Sequence, residues 1–151
     1  MTRITFTAVA TGAYRAVSGL EQYVRQSGLD HSLLELIKLR ASYMNGCAYC
    51  VDMHTKDARA AGETEQRLYA VPVWRETPFF TPKERVALEL TEAVTALHHD
   101  GVPDALYDAA REHFSEEELV NLVTAIATIN VWNRLSVTFR SDVGSYQPTP
   151  R

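Results

Sequence analysis

The chain has no apolar run near the length of about 20 residues that a bilayer crossing needs, which argues against a membrane-spanning protein. It has no basic patch interleaved with aromatics. The net charge is −4 with both signs mixed along the chain, so nucleic-acid binding is not expected. No segment alternates strictly between polar and apolar residues, so no half-buried strand is expected, and there is no repeat or low-complexity stretch. The N-terminus, MTRITFTAVATGAYRAV, carries one early arginine and no sustained apolar core. No signal peptide is therefore expected, and the cytoplasm is the expected compartment. Cysteine is scarce, with two in 151 residues. A domain of this length buries roughly 70% of the surface its unfolded chain exposes and needs no disulfide staple. A close cysteine pair in such a protein points to redox or metal chemistry instead.

What the chain does have is helical periodicity. Residues 1–11, rich in Thr and β-branched types, read as an extended arm. From Gly12 to Gln26, Tyr14, Val17, Leu20 and Val24 mark an amphipathic helix that Ser27-Gly28 ends. Asp30 caps the next helix, which runs to about Met44 with Leu33, Leu34, Leu36, Ile37, Leu39, Tyr43 and Met44 as its apolar set. On a helical wheel Arg40 falls inside that arc and requires a carboxylate partner, whereas Glu35 falls toward the polar side with Lys38 and Ser42. Asn45-Gly46 breaks this helix. Another runs from Cys47 to about Ala60, and a short one, capped by Thr64, from Glu65 to Ala70. Residues 71–80, VPVWRETPFF, read as a loop. Thr81-Pro82-x-Glu84 starts a helix to about Leu97, Pro103 begins one to about His113, and Ser115-Glu116-Glu117-Glu118 is a capping box for a last helix to about Phe139. Residues 145–151 read as a frayed tail. The expected fold class is all-α, a single-domain bundle over residues 1–151 with about six or seven helices. The last helix is apolar most of the way round, which places it in the core or in a subunit interface. Asn130, Asn133 and Arg134 turn back toward its apolar side and need partners there.

The stretch from Glu35 to His54, ELIKLRASYMNGCAYCVDMH, carries the chemistry. Cys47, Cys50 and His54 stand at i, i+3 and i+7 of one helix face. Thiols at i and i+3 are close enough to form a disulfide, and an imidazole one turn from Cys50 can take its proton or hold its thiolate. The bland reading is two inert buried thiols. A zinc site needs four ligands, and only Cys47, Cys50 and His54 are close, since His31, His98, His99 and His113 are scattered. Covalent haem attachment is excluded because Val51 follows Cys50. Helix electrostatics alone would activate Cys47, the cysteine at the helix start. Glu35 alone reads as a solvated glutamate, Trp74 and Trp132 as core or interface residues, and Tyr49 as lining a site mouth or packing.

Glu35, Leu39-Arg40-x-Ser42, Asn45-Gly46-Cys47-x-Tyr49-Cys50 and His54 together resemble the AhpD-like alkylhydroperoxidases of the carboxymuconolactone decarboxylase superfamily. The core of the match covers about Leu33 to Gly62. The resemblance implies an all-α fold, a homo-oligomer (trimer or hexamer) and a thiol peroxidase site. It implies that Cys50 attacks a small hydroperoxide, that Cys47 resolves it as a disulfide, and that His54 and Glu35 relay protons. An external dithiol or lipoyl-type reductant would reset the pair, and no metal, flavin or haem would be needed. The best-studied type has a histidine directly before the second cysteine, where this chain has Tyr49. The decarboxylase branch generally lacks the paired cysteines. Two other classes stay open beside the enzyme: a non-catalytic redox sensor or scaffold, and a Cys/His metal-binding module.

Overall fold

Among the described residues eight α-helices follow one another: α1 Phe6–Val9, α2 Thr11–Gln26, α3 His31–Met44, α4 Ala48–Ala60, α5 Glu65–Ala70, α6 Pro82–Thr95, α7 Asp104–His113 and α8 Glu116–Phe139. A 3-10 segment, Val71–Glu76, joins α5 to α6. The computed structural model describes residues 1–148, and no strand occurs among them. No helix among the described residues is long and apolar enough to cross a membrane. The all-α class is thus as expected, with α1 as a short turn inside the arm read as extended.

The start signals act as their chemistry requires. The Asp30 carboxylate accepts from the Leu33 N–H at 2.9 Å. Thr81 with Glu84, and Ser115 with Glu118, form complete capping boxes at the heads of α6 and α8. Each satisfies backbone donors that no helix turn can reach, which typically stabilises a helix by about 1 kcal/mol. Toward the other end, α6 stops at Thr95, two residues short of Leu97.

The centre of the molecule is α3, which packs chiefly against α4, α6 and α8. Val24, Leu34, Ile37, Leu122 and Ile126 anchor one apolar cluster on it. Leu36, Leu39, Leu68, Val71, Trp74, Phe80 and Leu88 form a second. Trp74 and Phe80 explain why residues 71–80 are not a free loop: their rings are buried and draw the backbone into the 3-10 segment. Enclosure of α3 also corrects the helical-wheel reading. Glu35, Lys38 and Ser42 are not on a solvated side; all three are buried. A central helix has no solvent side, so its polar stripe must be paired within the fold. Arg40 finds the carboxylate it requires in Glu92 of α6, Nε to Oε1 at 2.9 Å.

Along α8, Asn130 and Asn133 are also paired. The Asn45 amide donates to both side-chain oxygens at 2.9 Å, Asn130 donates to Thr95, and Asn133 donates to Ser42. Arg134 donates to the Asn130 side chain at 2.7 Å. Val120, Val123, Val131 and Val137 remain exposed on this helix. The described part of the tail lies against α4: Lys56 Nζ donates to the Tyr146 carbonyl at 2.9 Å, and the Tyr146 hydroxyl donates to Asp57 at 2.7 Å. The last three positions of the tail, 149–151, lie outside the described residues.

Candidate active site

The junction of α3 and α4 builds the site. Gly46 takes a left-handed backbone, φ 63°, which a side chain would disfavour. The chain reverses there, Cys47 N–H donates to the Ser42 carbonyl at 2.9 Å, and Cys47 becomes the N-cap of α4 rather than its first residue. The Asn45 contacts pin the same turn to α8. Cys47 Sγ accepts from the Cys50 N–H at 3.3 Å, and the two sulfurs lie at disulfide distance with Cα atoms 5.3 Å apart. Both cysteines are buried in a small apolar group with Ala41 and Ile129, flanked by Tyr49 and Trp132.

One turn beyond Cys50, His54 is buried and its Nδ1 lies 2.8 Å from Glu35 Oε2. The bond crosses between α4 and α3, so the glutamate twelve residues before Cys47 and the histidine four after Cys50 are brought together. Burial pushes the Glu35 carboxyl up. The His54 hydrogen bond and charge, with Lys38 and His31 adding, outweigh burial and hold it below its usual value. A carboxylate at this distance fixes Nδ1–H as the donor, leaving Nε2 as the basic nitrogen. Nε2 is buried and has no hydrogen-bond partner among the described residues.

A cavity of about 640 Å³ opens onto this group. Tyr49, Cys50, Met53 and His54 of α4 form part of its wall, and Cys47 is not among its lining residues. Tyr14 and Trp132, in edge contact at 5.9 Å, and Phe6 give it aromatic surface. Glu21, Ser136 and Asp142 add polar groups. Tyr49, open in the sequence between mouth and packing, lines the cavity. Trp132 is half-buried and lines it too. Burial, with the negative potential of Tyr14, Asp52 and Asp57, raises the Tyr49 phenol, so it is a neutral donor beside Cys50.

Sequence reasoning missed three members of this region. Lys38 is wholly buried and pairs with Glu21 of α2 at 2.5 Å. Asp57 lies with Glu35 and His54 in a group whose potential ligand atoms are all within 4.8 Å. That group could hold a cation, but Glu35 is engaged by His54, and Asp57 accepts from Tyr146. The signal for Asp57 was its position three residues after His54 on α4, and the signal for Lys38 its i+3 spacing from Glu35.

A buried Cys-x-x-Cys beside a Glu–His pair, on a helical scaffold of this order, defines an AhpD-like protein. The sequence profile of the Carboxymuconolactone decarboxylase family matches residues 11–93, and the chain belongs to that family. The uncharacterized protein YdfG of Bacillus subtilis (strain 168) is 45% identical over 143 residues, 95% of this chain and 97% of its own. The crystal structure of ATU0492 from Agrobacterium tumefaciens is of a protein of unknown function provisionally placed in antioxidant defence as AhpD. It matches with a TM-score of 0.93 at 46% identity, covering 97% of this chain and 100% of that one. A peroxidase-related protein with an alkylhydroperoxidase AhpD core, from Ralstonia eutropha JMP134, matches with a TM-score of 0.82 over 92% of this chain and 74% of that one. At 24% identity that likeness shows the fold alone. Family and paired cysteines are compatible with a redox role.

Proposed function

We propose that this protein is a cytoplasmic thiol peroxidase, acting as a single domain that reduces small organic hydroperoxides through Cys50, Cys47, His54 and Glu35. The observation that carries the reading is the asymmetry of the two thiols: Cys50 and His54 line the cavity, and Cys47 does not. In the reduced site His54 Nε2 takes the Cys50 proton, and Glu35 holds the resulting imidazolium. The thiolate attacks the terminal oxygen of the hydroperoxide and the O–O bond breaks. The leaving alkoxide takes the proton from His54, giving an alcohol and a sulfenic acid on Cys50. The Cys47 sulfur then attacks the Cys50 sulfur, and hydroxide leaves as water with the Cys47 proton. Two electrons have passed from the thiol pair to the peroxide. An external dithiol, such as a lipoyl group, returns them by thiol–disulfide exchange. The exposed valines of α8 support assembly into a trimer or hexamer, and light scattering at rising concentration checks it: a persistent monomer mass contradicts assembly.

The test is steady-state consumption of cumene hydroperoxide with dihydrolipoamide as reductant. Turnover that is lost in Cys50→Ser supports the enzyme. A disulfide that forms with oxidant and never turns over supports the sensor reading instead.

A further inference from the structure

Lys38 is the largest fully buried side chain among the described residues, and the chemistry above does not use it. Its ammonium is paired with Glu21, which comes from a different helix and lines the same cavity as Cys50 and His54. A buried ion pair is rarely the cheapest way to fill space, because an apolar pair of similar volume avoids desolvation. Lys38 also stands one turn after Glu35 on α3, so both side chains leave the same face. The charges of Lys38 and His54 act on both glutamates. Four ionisable groups from three helices, the buried Lys38, Glu35 and His54 and the half-buried Glu21, therefore form one cluster. Its formal charges balance only when His54 is imidazolium; with neutral imidazole one negative charge is in excess.

We infer that Lys38 and Glu21 are positioning residues that set the potential at the reduced site: the Lys38 cation favours the Cys50 thiolate, the Glu21 anion opposes it, and Glu35 holds the His54 imidazolium beside it. This deepens the peroxidase reading and rests on it. Tyr14 of α2, Tyr49 of α4 and Asp142 after α8 share the cavity wall with Cys50 and Glu21, and the other charged or titratable groups facing the cluster are few. Arg25 of α2 is exposed and 3.3 Å from Glu21. His31 lies at the head of α3, and Asp57 of α4 accepts from the Tyr146 phenol of the tail. The packed face of α8 brings Asn133 and Ser136 but no charge, and α6 turns Glu92 toward Arg40 instead.

The test is a thiolate titration that needs no turnover. The full chain is reduced with a phosphine, and the rate of Cys50 alkylation by iodoacetamide is followed by peptide mass across about pH 4 to 9. Lys38→Met removes a cation and should raise the Cys50 midpoint by about one pH unit. Glu21→Gln removes an anion and should lower it by a comparable amount. The double variant should return close to the parent midpoint. A merely structural pair would slow or unfold the variants without opposite shifts. Shifts of the same sign, no shift, or a double variant that does not return would each overturn the inference. Should Lys38→Met fail to fold, Glu21→Gln decides alone: a downward shift is required, and any other result overturns it. Absence of peroxide turnover in the parent protein would sink the peroxidase reading while leaving these midpoints measurable, so the two failures are distinguishable.

Discussion

Two glutamates in this protein gather donors in nearly the same way, to different ends. Glu92 of α6 accepts from Arg40 at 2.9 Å, Trp74 at 2.7 Å and Arg75 at 2.6 Å. Glu35 of α3 accepts from His54 at 2.8 Å, and the charge of Lys38 acts on it as well. Burial pushes both carboxyls up, and hydrogen bonds and nearby cations hold both below the usual value. The difference lies in the partners. Guanidinium and indole do not change protonation state near neutrality, so the Glu92 hub is a fixed clamp. Imidazole does, and its second nitrogen has no hydrogen-bond partner among the described residues, in a wall shared with Cys50. A carboxylate saturated by permanent donors ties helices together; one facing a titratable ring beside a thiol can move a proton.

Substitutions should separate the two. Cys50→Ser is expected to abolish peroxide consumption, and Glu92→Gln to leave it nearly unchanged, in the same cumene hydroperoxide assay. Next in size, His54→Ala and Glu35→Gln should slow the first oxidation step by about 10²–10⁴-fold, with His54→Ala recovering partly in alkali as hydroxide replaces the base. Glu92→Gln should instead destabilise the fold by about 1–3 kcal/mol in denaturant melts, because it leaves the buried Trp74 indole and the half-buried Arg40 poorly satisfied. A Glu92→Gln protein that is as slow as Glu35→Gln would erase the distinction.

Acid should act on both regions. Because each carboxyl is held below its unfolded value, the stability it contributes is complete above the ordinary carboxylate range and is lost as pH falls through the lowered folded value. In Glu92→Gln this acid sensitivity should weaken while the rate profile keeps its shape; denaturant melts and single-turnover rates at stepped pH check both. The smallest effect is expected for Tyr146→Phe, which removes the hydrogen bond to Asp57 and should cost about 0.5–1.5 kcal/mol. Hydrogen exchange should show it as earlier opening of the tail over α4.

Much of this was legible in the chain. Caps at Asp30, Thr64, Thr81 and Ser115 and the break at Asn45-Gly46 are local signals, and local signals survive packing. Periodicity failed at Glu35, Lys38 and Ser42, because a wheel assumes one dry face and the middle of α3, from Leu33 to Leu39, is buried on every side. Only the likeness to known relatives raised Glu35 above a solvated glutamate. The partners that complete the region, Glu21 from α2 and Tyr146 from the tail, lie far from the motif in sequence. Arg40 was read as needing a carboxylate, and the identity of Glu92 required the fold.

The central claim is that Cys50, not the helix-capping Cys47, meets the peroxide. Helix electrostatics argue for Cys47, whose sulfur already accepts from the Cys50 N–H; a place in the cavity wall and the nearness of His54 in sequence argue for Cys50. The direct measurement is single-turnover oxidation of the two single-serine variants with cumene hydroperoxide in the presence of dimedone, followed by peptide mapping. The account predicts a sulfenic label on Cys50 in Cys47→Ser at near the parent first-step rate, and essentially none on Cys47 in Cys50→Ser. Label on Cys47 in Cys50→Ser at the parent rate would contradict it and assign attack to the capping thiol.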